Sequence, residues 1–294
     1  MPHEVDIDAA APPPTTSKVA SDTLKIGTDE NHWLYHPSSQ TYDLTRQRCP
    51  PSATLALRTT TQSLLLAPRR TALVVIDMQN FFLSEKLGRG DGGRNLSPGI
   101  ARACKAVRKA GGIVVWINWG VPANCDGMPP IILRSFSLPT TFSVQADADG
   151  KEGKANPGVY TGFGSELPDG LGKLLVKDTW SADVHDSLKP EMLPEDILID
   201  KYRISGFPGT RLEDTLRSRG IDTLIFTGVN TDQCVMSSFI DAMNLGFDVI
   251  MLDDCCATTS PIGHHSACVD NAESFMGFVS NVEWVEEGVA KLGA

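Results

Sequence analysis

TRLEDTLRSRGIDTLIFTGVNTDQCVMSSFIDAMNLGFDVIML, residues 210–252, reads as helix, strand, helix and strand in immediate succession. Thr210 offers a helix N-cap, and Arg217, Arg219 and Gly220 close the helix, with cations in the last turn where the dipole favours them. DTLIFTG, residues 222–228, is a short apolar run of strand length. From Thr231 to about Leu245, Val235, Phe239, Ala242 and Leu245 share one helical face; Gly246 ends the helix, and FDVIML, residues 247–252, is the next strand. A strand, a helix of that length and a second strand imply a right-handed crossover between parallel strands. Working outward, TALVVID (71–77) is a continuous apolar run ending on a carboxylate, as in a strand buried on both faces. Pro98 opens a helix running to Lys109, Gly111 and Gly112 stop it, and residues 113–118 and 196–201 are two further strands. The sum is an α/β chain: a three-layer, doubly wound fold with a mostly parallel central sheet flanked by helices.

The 294 residues suffice for one large domain with a substantial core. Residues 1–24, with Pro12, Pro13 and Pro14 amid Ala, Ser, Thr and Asp, read as a disordered tail. Residues 25–64, with Trp33, Tyr35 and Tyr42 but no helical spacing, read as an N-terminal extension packing on the core in extended segments, and 65–294 as the main domain. Between residues 120 and 172 nine Gly break any period; a connection this long suits a lid or a partner-binding arm. With 36 acidic against 26 basic side chains the net charge is −10, which argues against a nucleic-acid partner. No uncharged apolar run reaches the ~20 residues of a membrane helix, and the N-terminus lacks the pattern of a secretory signal. Seven Cys without C-x-x-C fit a reducing compartment, and the cytoplasm is the expected location.

In an open α/β sheet, ligands bind beyond the carboxyl ends of the strands. Asp77 and Lys201 sit at two such ends, and Cys234 lies just past a third, in the first turn of a helix. Each has an ordinary alternative: a turn carboxylate, a solvated amine, a small core residue. Together they form a base, a cation and a nucleophile that could converge. With Thr231 as N-cap, the Cys234 sulfur lies in the positive field of the helix terminus, and a nearby Lys is expected to lower its pKa further.

ALVVIDMQNFF, DKYRISGFPGTRLEDTLRSRGIDTLIFTGVNTDQCV and ESFMGFVSNVE resemble the isochorismatase-like cysteine hydrolases, across roughly residues 66–285. Through KLLVKDTW, LRSRGI, LIFTG and the final GFVS-x-VE, the chain is most similar to the ureidoacrylate amidohydrolases among them. The family's D-x-Q-x-x-F string matches Asp77, Gln79 and Phe82; its Lys before S-x-F-x-G-T matches Lys201 before Ser205, Phe207, Gly209 and Thr210; its G-x-x-T-x-x-C-V matches Gly228, Thr231, Cys234 and Val235. The resemblance implies an Asp77, Lys201 and Cys234 triad, a non-proline cis bond between Val229 and Asn230, and an oxyanion hole from the Asn230 and Cys234 backbone N–H groups. Two positions depart from the ureidoacrylate pattern: Ile204 stands where a Tyr precedes the S-G-F string, and the pattern has an Asn near the position of Trp119. Both changes make the expected pocket more apolar.

The expected activity is metal-free cleavage of a C–N bond in a small amide, ureide or carbamoyl compound through a thioester, with no cofactor. Phe82, Trp119 and Ile204 would form an apolar wall, with Gln79 and Asn118 as polar handles facing the same crevice. A homo-oligomer, dimer or tetramer, is the expected assembly. Vinyl ether hydrolysis of the isochorismatase type is the alternative, but family members with that chemistry generally lack the Cys; a non-catalytic binding or scaffold protein would have no use for all three triad residues. His264 and His265, being adjacent, suit a loop or helix cap better than a metal. GRGDGG (88–93) fits no phosphate loop, and no G-x-S-x-G elbow is present. Cys255 and Cys256 read as packed, and Trp116 and Trp180 as either core or pocket.

Overall fold

Strand β7 (Thr71–Ile76) is buried at all six positions, and its side chains divide between two apolar layers. Ala72, Val74 and Ile76 enter one; Leu73 and Val75 enter the other. A strand covered on both faces needs an unbroken apolar run, which is why its sequence does not alternate. The computed structural model describes residues 17–20, 22–137 and 162–292. In it β7 lies between β8 (Ile113–Trp119) and β10 (Thr223–Val229), with β9 (Ile197–Lys201), β11 (Asp248–Ala257) and β12 (Phe278–Ser280) completing a six-stranded sheet. The order is β12-β11-β10-β7-β8-β9, every pair parallel. The chain winds outward from β7 in one direction and then from β10 in the other, so the loops after these two neighbours diverge and leave a crevice at their carboxyl ends.

Helices α2 (Ser97–Ala110) and α7 (Val282–Ala290) cover one face, through Ile100, Ala103, Val107, Val285 and Val289. The short α1 (Asn80–Leu83) follows β7 directly. The other face is covered by α4 (Leu212–Ser218) and α5 (Met236–Asn244), through Leu212, Leu216, Phe239 and Ala242, and by α3 (Pro130–Ser137), whose Ile132 packs with Met128 and Phe163 in the layer that holds Trp119. Residues 138–161 of the long connection lie outside the described residues. Helix α6 (His264–Asn271) sits beyond the end of β11.

The extension builds a second six-stranded sheet from β1 (Ser17–Ala20), β2 (Thr23–Gly27), β3 (His32–His36), β4 (Thr41–Asp43), β5 (Leu55–Arg58) and β6 (Ser63–Leu66), ordered β1-β2-β3-β4-β6-β5. β1 and β2 therefore begin inside the stretch expected to be a disordered tail; residues 1–16 lie outside the described residues. Leu44, Leu55, Leu57, Leu64 and Leu66 join the apolar layer beneath α2 and α7. One buried ion pair ties extension to core: Arg46 donates from Nη1 and Nη2 to the two carboxylate oxygens of Asp248, at 2.7 and 2.8 Å, and Trp33 Nε1 donates to the same carboxylate at 2.9 Å. Among the described residues no helix is long and apolar enough to cross a membrane. All seven cysteines are free thiols.

Candidate active site

Asp77 follows the last residue of β7 with φ +52°, and its N–H donates to Ile117 O at 2.9 Å. That left-handed turn is uncommon for a non-glycine residue, though Asp tolerates it better than most. Lys201 ends β9, and Cys234 lies in the single π-turn Thr231–Val235 between β10 and α5. The crevice brings the three together. Lys201 Nζ lies 3.0 Å from Asp77 Oδ2 and 3.3 Å from Cys234 Sγ, and donates to Arg203 O at 3.3 Å. Its ammonium also stands 3.7 Å above the centre of the Trp119 ring. Lys201 is 0% exposed, Asp77 1% and Cys234 6%, so the cluster is sealed from bulk water. The peptide bond between Val229 and Asn230 is cis, at the entry to the Cys234 turn.

The sequence matches the family model of the isochorismatase domain over residues 71–283, well over half of the chain. The chain belongs to the isochorismatase family. Ureidoacrylate amidohydrolase RutB of Acinetobacter baylyi is 32% identical over 238 residues, covering 77% of this chain and 86% of that protein. The corresponding enzyme of Klebsiella pneumoniae is 33% identical over 233 residues, covering 76% and 88%. Among solved structures, a cysteine hydrolase from Pseudomonas syringae pv. phaseolicola superposes with a TM-score of 0.60 at 19% identity, covering 81% of this chain and 98% of that one. The nicotinamidase/pyrazinamidase PncA of Bacillus subtilis gives 0.53 at 24%, covering 72% and 100%. At these identities the structural likeness establishes the fold.

Electrostatics in this isochorismatase-family site correct one expectation. Burial first, and then the Asp77 carboxylate, push the Cys234 thiol up to about 12; Lys201 opposes both without overcoming them. The resting thiol therefore holds its proton, where a lowered pKa was expected. Burial likewise raises Asp77 above the usual carboxylate range, with the Lys201 charge foremost in pulling the other way. One ammonium faces two groups that can each carry a negative charge, and the buried site accommodates one such charge far more readily than two.

The expected substrate residues are placed unequally. Trp119 is in the site, packed on Lys201 and 5.0 Å from the Phe163 ring. Phe82, on α1, and Ile204 are partly buried against the same layer. Gln79 is not a free polar handle: its Nε2 donates to Trp119 O at 2.7 Å and to Ala182 O at 2.6 Å, and its Oε1 accepts from Trp119 N at 2.9 Å. Both amide hydrogens are used, and Gln79 instead locks the backbone under the Trp119 ring. Asn118 does not face the crevice. It pairs with Asp200 as Trp119 pairs with Lys201, so Asn118 and Asp200 point to the opposite side of the sheet, into a separate hollow of about 350 Å³ beside Lys177 and Trp180. Trp116 shares that other face, buried with Nε1 donating to Asp196 at 2.9 Å.

The N-cap position of the turn carrying Cys234 is Asn230, whose side chain makes no capping hydrogen bond, rather than Thr231, whose hydroxyl lies 2.9 Å from His265 Nδ1. His264 and His265 open α6 and reach the Cys234 turn, His264 at Asp232 and His265 at Thr231. In the sequence the pair shows itself only as two adjacent imidazoles suited to a loop or helix cap. Cys255 and Cys256 are buried, and burial raises both thiols. Among the described residues no three His, Cys, Asp or Glu side chains converge to hold a metal ion.

Proposed function

We propose that the chain is a cysteine hydrolase, working without a metal, that cleaves a C–N bond of a small amide, ureide or carbamoyl compound. The carrying observation is the buried trio in which Lys201 Nζ lies within 3.3 Å of both Asp77 and Cys234. Its charge balance explains how a thiol held near 12 can react. Moving a proton from Cys234 to Asp77 transfers one negative charge between two groups that share the same ammonium, so the net charge of the trio is unchanged and no new buried charge is created.

Asp77 takes the Cys234 proton as sulfur attacks the substrate carbonyl, and the carbonyl oxygen becomes an oxyanion received by the Asn230 and Cys234 N–H groups. Protonated Asp77 gives its proton to the leaving nitrogen, the C–N bond breaks, and the acyl group remains on Cys234 as a thioester. Asp77 then removes a proton from water, hydroxide attacks the thioester, and the departing sulfur recovers the proton from Asp77. Trp119, Phe82 and Ile204 favour a substrate with an apolar body over a compact charged ureide. The amidohydrolase relatives support the reaction class, and the apolar wall supports a substrate different in shape.

An ammonia-release screen over benzamide, phenylurea and N-carbamoylglycine tests the reading. Turnover of the first two that disappears in Cys234→Ala supports it. Wild-type turnover that persists in that variant refutes it.

A further inference from the structure

Each side chain of the turn ahead of Cys234 is held by the segment that follows β11. Asn230 Oδ1 accepts from Thr259 N at 3.3 Å, and Gln233 Nε2 donates to Ser260 Oγ at 3.3 Å. Asp232 accepts from the Thr258 hydroxyl at one oxygen and lies 3.2 Å from His264 Nδ1 at the other. Thr231, with no exposed surface, meets His265: Oγ1 is 2.9 Å from Nδ1, while His265 Nε2 is 2.8 Å from Asp253 Oδ1. Asp253 is available because β11 bulges. Its register against β10 jumps from Phe226↔Met251 to Gly228↔Cys256, so five steps along β11 oppose two along β10, and the intervening carboxylates leave the ladder.

The directions of these bonds follow from the groups. A carboxylate only accepts, so His265 Nε2 carries the proton; in the neutral ring Nδ1 then accepts, and the Thr231 hydroxyl donates to it. Asp253 thereby selects the tautomer that can hold Thr231. Thr231 is the first residue of the turn that presents Cys234, and follows directly on Asn230.

We propose that His265, held by Asp253, is a positioning residue: through Thr231 it fixes the turn that presents the Cys234 sulfur and the backbone N–H groups beside it, without touching substrate. The proposal rests on Cys234 being the nucleophile. Removing the imidazole leaves a buried hydroxyl without its partner and lets the turn relax, and a displacement on the order of 1 Å at reacting groups costs roughly a hundredfold in rate.

The experiment compares His265→Ala, His265→Asn, His265→Gln, Thr231→Val and the Thr231→Val/His265→Ala double variant. Asn puts a carbonyl oxygen near the place of Nδ1, whereas Gln reaches the place of Nε2. The readouts are kcat and KM for ammonia release, and the rate at which iodoacetamide labels the Cys234 peptide, followed by mass spectrometry. His265→Ala and His265→Gln are expected to lose about tenfold to a hundredfold in kcat, with KM within about twofold of wild type. His265→Asn should recover most of that loss, and the double variant should be no worse than its more impaired parent. Wild-type kcat and labelling in His265→Ala, rescue by Gln equal to that by Asn, or additive losses in the double variant would each overturn the proposal. The Asn and Gln comparison keeps the test decisive should the Ala variant fail to fold. If wild type turns over no amide, the functional reading fails by itself. The labelling arm still decides the positioning role, since His265→Gln must then change the Cys234 labelling rate and His265→Asn restore it, and unchanged rates refute it.

Discussion

Lys201→Met removes the ammonium that balances the buried trio, and its cost should depend on pH in a calculable way. At the 3.0 Å separation of Nζ and Asp77 Oδ2, an effective dielectric of ~20 gives an attraction of about 5 kcal/mol. The variant need not lose all of it, because Asp77 can take up a proton instead of remaining charged. With an ordinary carboxylate value of about 3.9, that uptake costs at most about 1.5 kcal/mol at pH 5 and about 4 kcal/mol at pH 7. The raised native value of Asp77 makes both figures upper bounds. The sign is definite. A carboxyl whose native pKa lies above its unfolded one binds more protons when folded, so its contribution is present below the unfolded value and is lost as pH climbs through the native one. The stability deficit of Lys201→Met relative to wild type should therefore widen by up to about 1.4 kcal/mol per pH unit between pH 5 and 7, towards the Coulomb limit. Urea unfolding at pH 5, 6 and 7 measures it, with Asp77→Asn/Lys201→Met as control, in which the deficit should stop depending on pH. A deficit flat in pH, or unchanged by Asp77→Asn, would refute the charge-balance argument.

Four further outcomes follow from the same geometry. Because the Asp77 carboxylate helps push Cys234 up, Asp77→Asn should speed iodoacetamide labelling of Cys234 at pH 8 while abolishing turnover; slower labelling would contradict the assigned coupling. Gln79→Leu removes three hydrogen bonds around Trp119 and should cost roughly 2–4 kcal/mol in urea unfolding, with most of the activity; a neutral effect would mean that the clamp is dispensable. Arg46→Met leaves Asp248 buried without its ion-pair partner and should destabilise the chain by about 3–5 kcal/mol, visible as a lowered Tm; an unchanged Tm would show that the extension does not stabilise the core. Trp119→Ala should lower kcat/KM for phenylurea more than for N-carbamoylglycine, by about 1–3 kcal/mol of discrimination, and equal losses would remove Trp119 as a selectivity residue.

The central sheet was legible because its strands are buried on both faces and its helices end in clear stops. TALVVI and DTLIFTG can hardly be anything but interior strands, and Gly111, Gly112 and Gly246 mark where the helices before β8 and β11 end. β12 escaped because three residues carry no period, and the extension's sheet because strands such as LALR and SLLL are too short for alternation to stand out. Its anchor, Arg46 on Asp248, joins residues 202 positions apart, and local sequence carries no trace of such a pair. Consecutive strand residues point to opposite faces, which by itself keeps Asn118 and Trp119 from lining one crevice together. Gln79 shows the opposite difficulty, since an amide two residues past Asp77 suits a substrate handle and a backbone clamp equally well, and only its partners distinguish them. The raised thiol depends on complete burial by layers from distant segments, a quantity that the local motif does not contain.

The central claim is that a carbonyl is carried on the Cys234 sulfur. Rapid acid quench of the wild-type protein with phenylurea or benzamide, followed by mass spectrometry of the Cys234 peptide, tests this most directly. The account predicts an adduct on that peptide equal in mass to the substrate acyl group, formed as ammonia or amine is released and absent from both Cys234→Ala and Asp77→Asn. Steady turnover in Cys234→Ala, with no adduct on the wild-type peptide at any quench time, would contradict it.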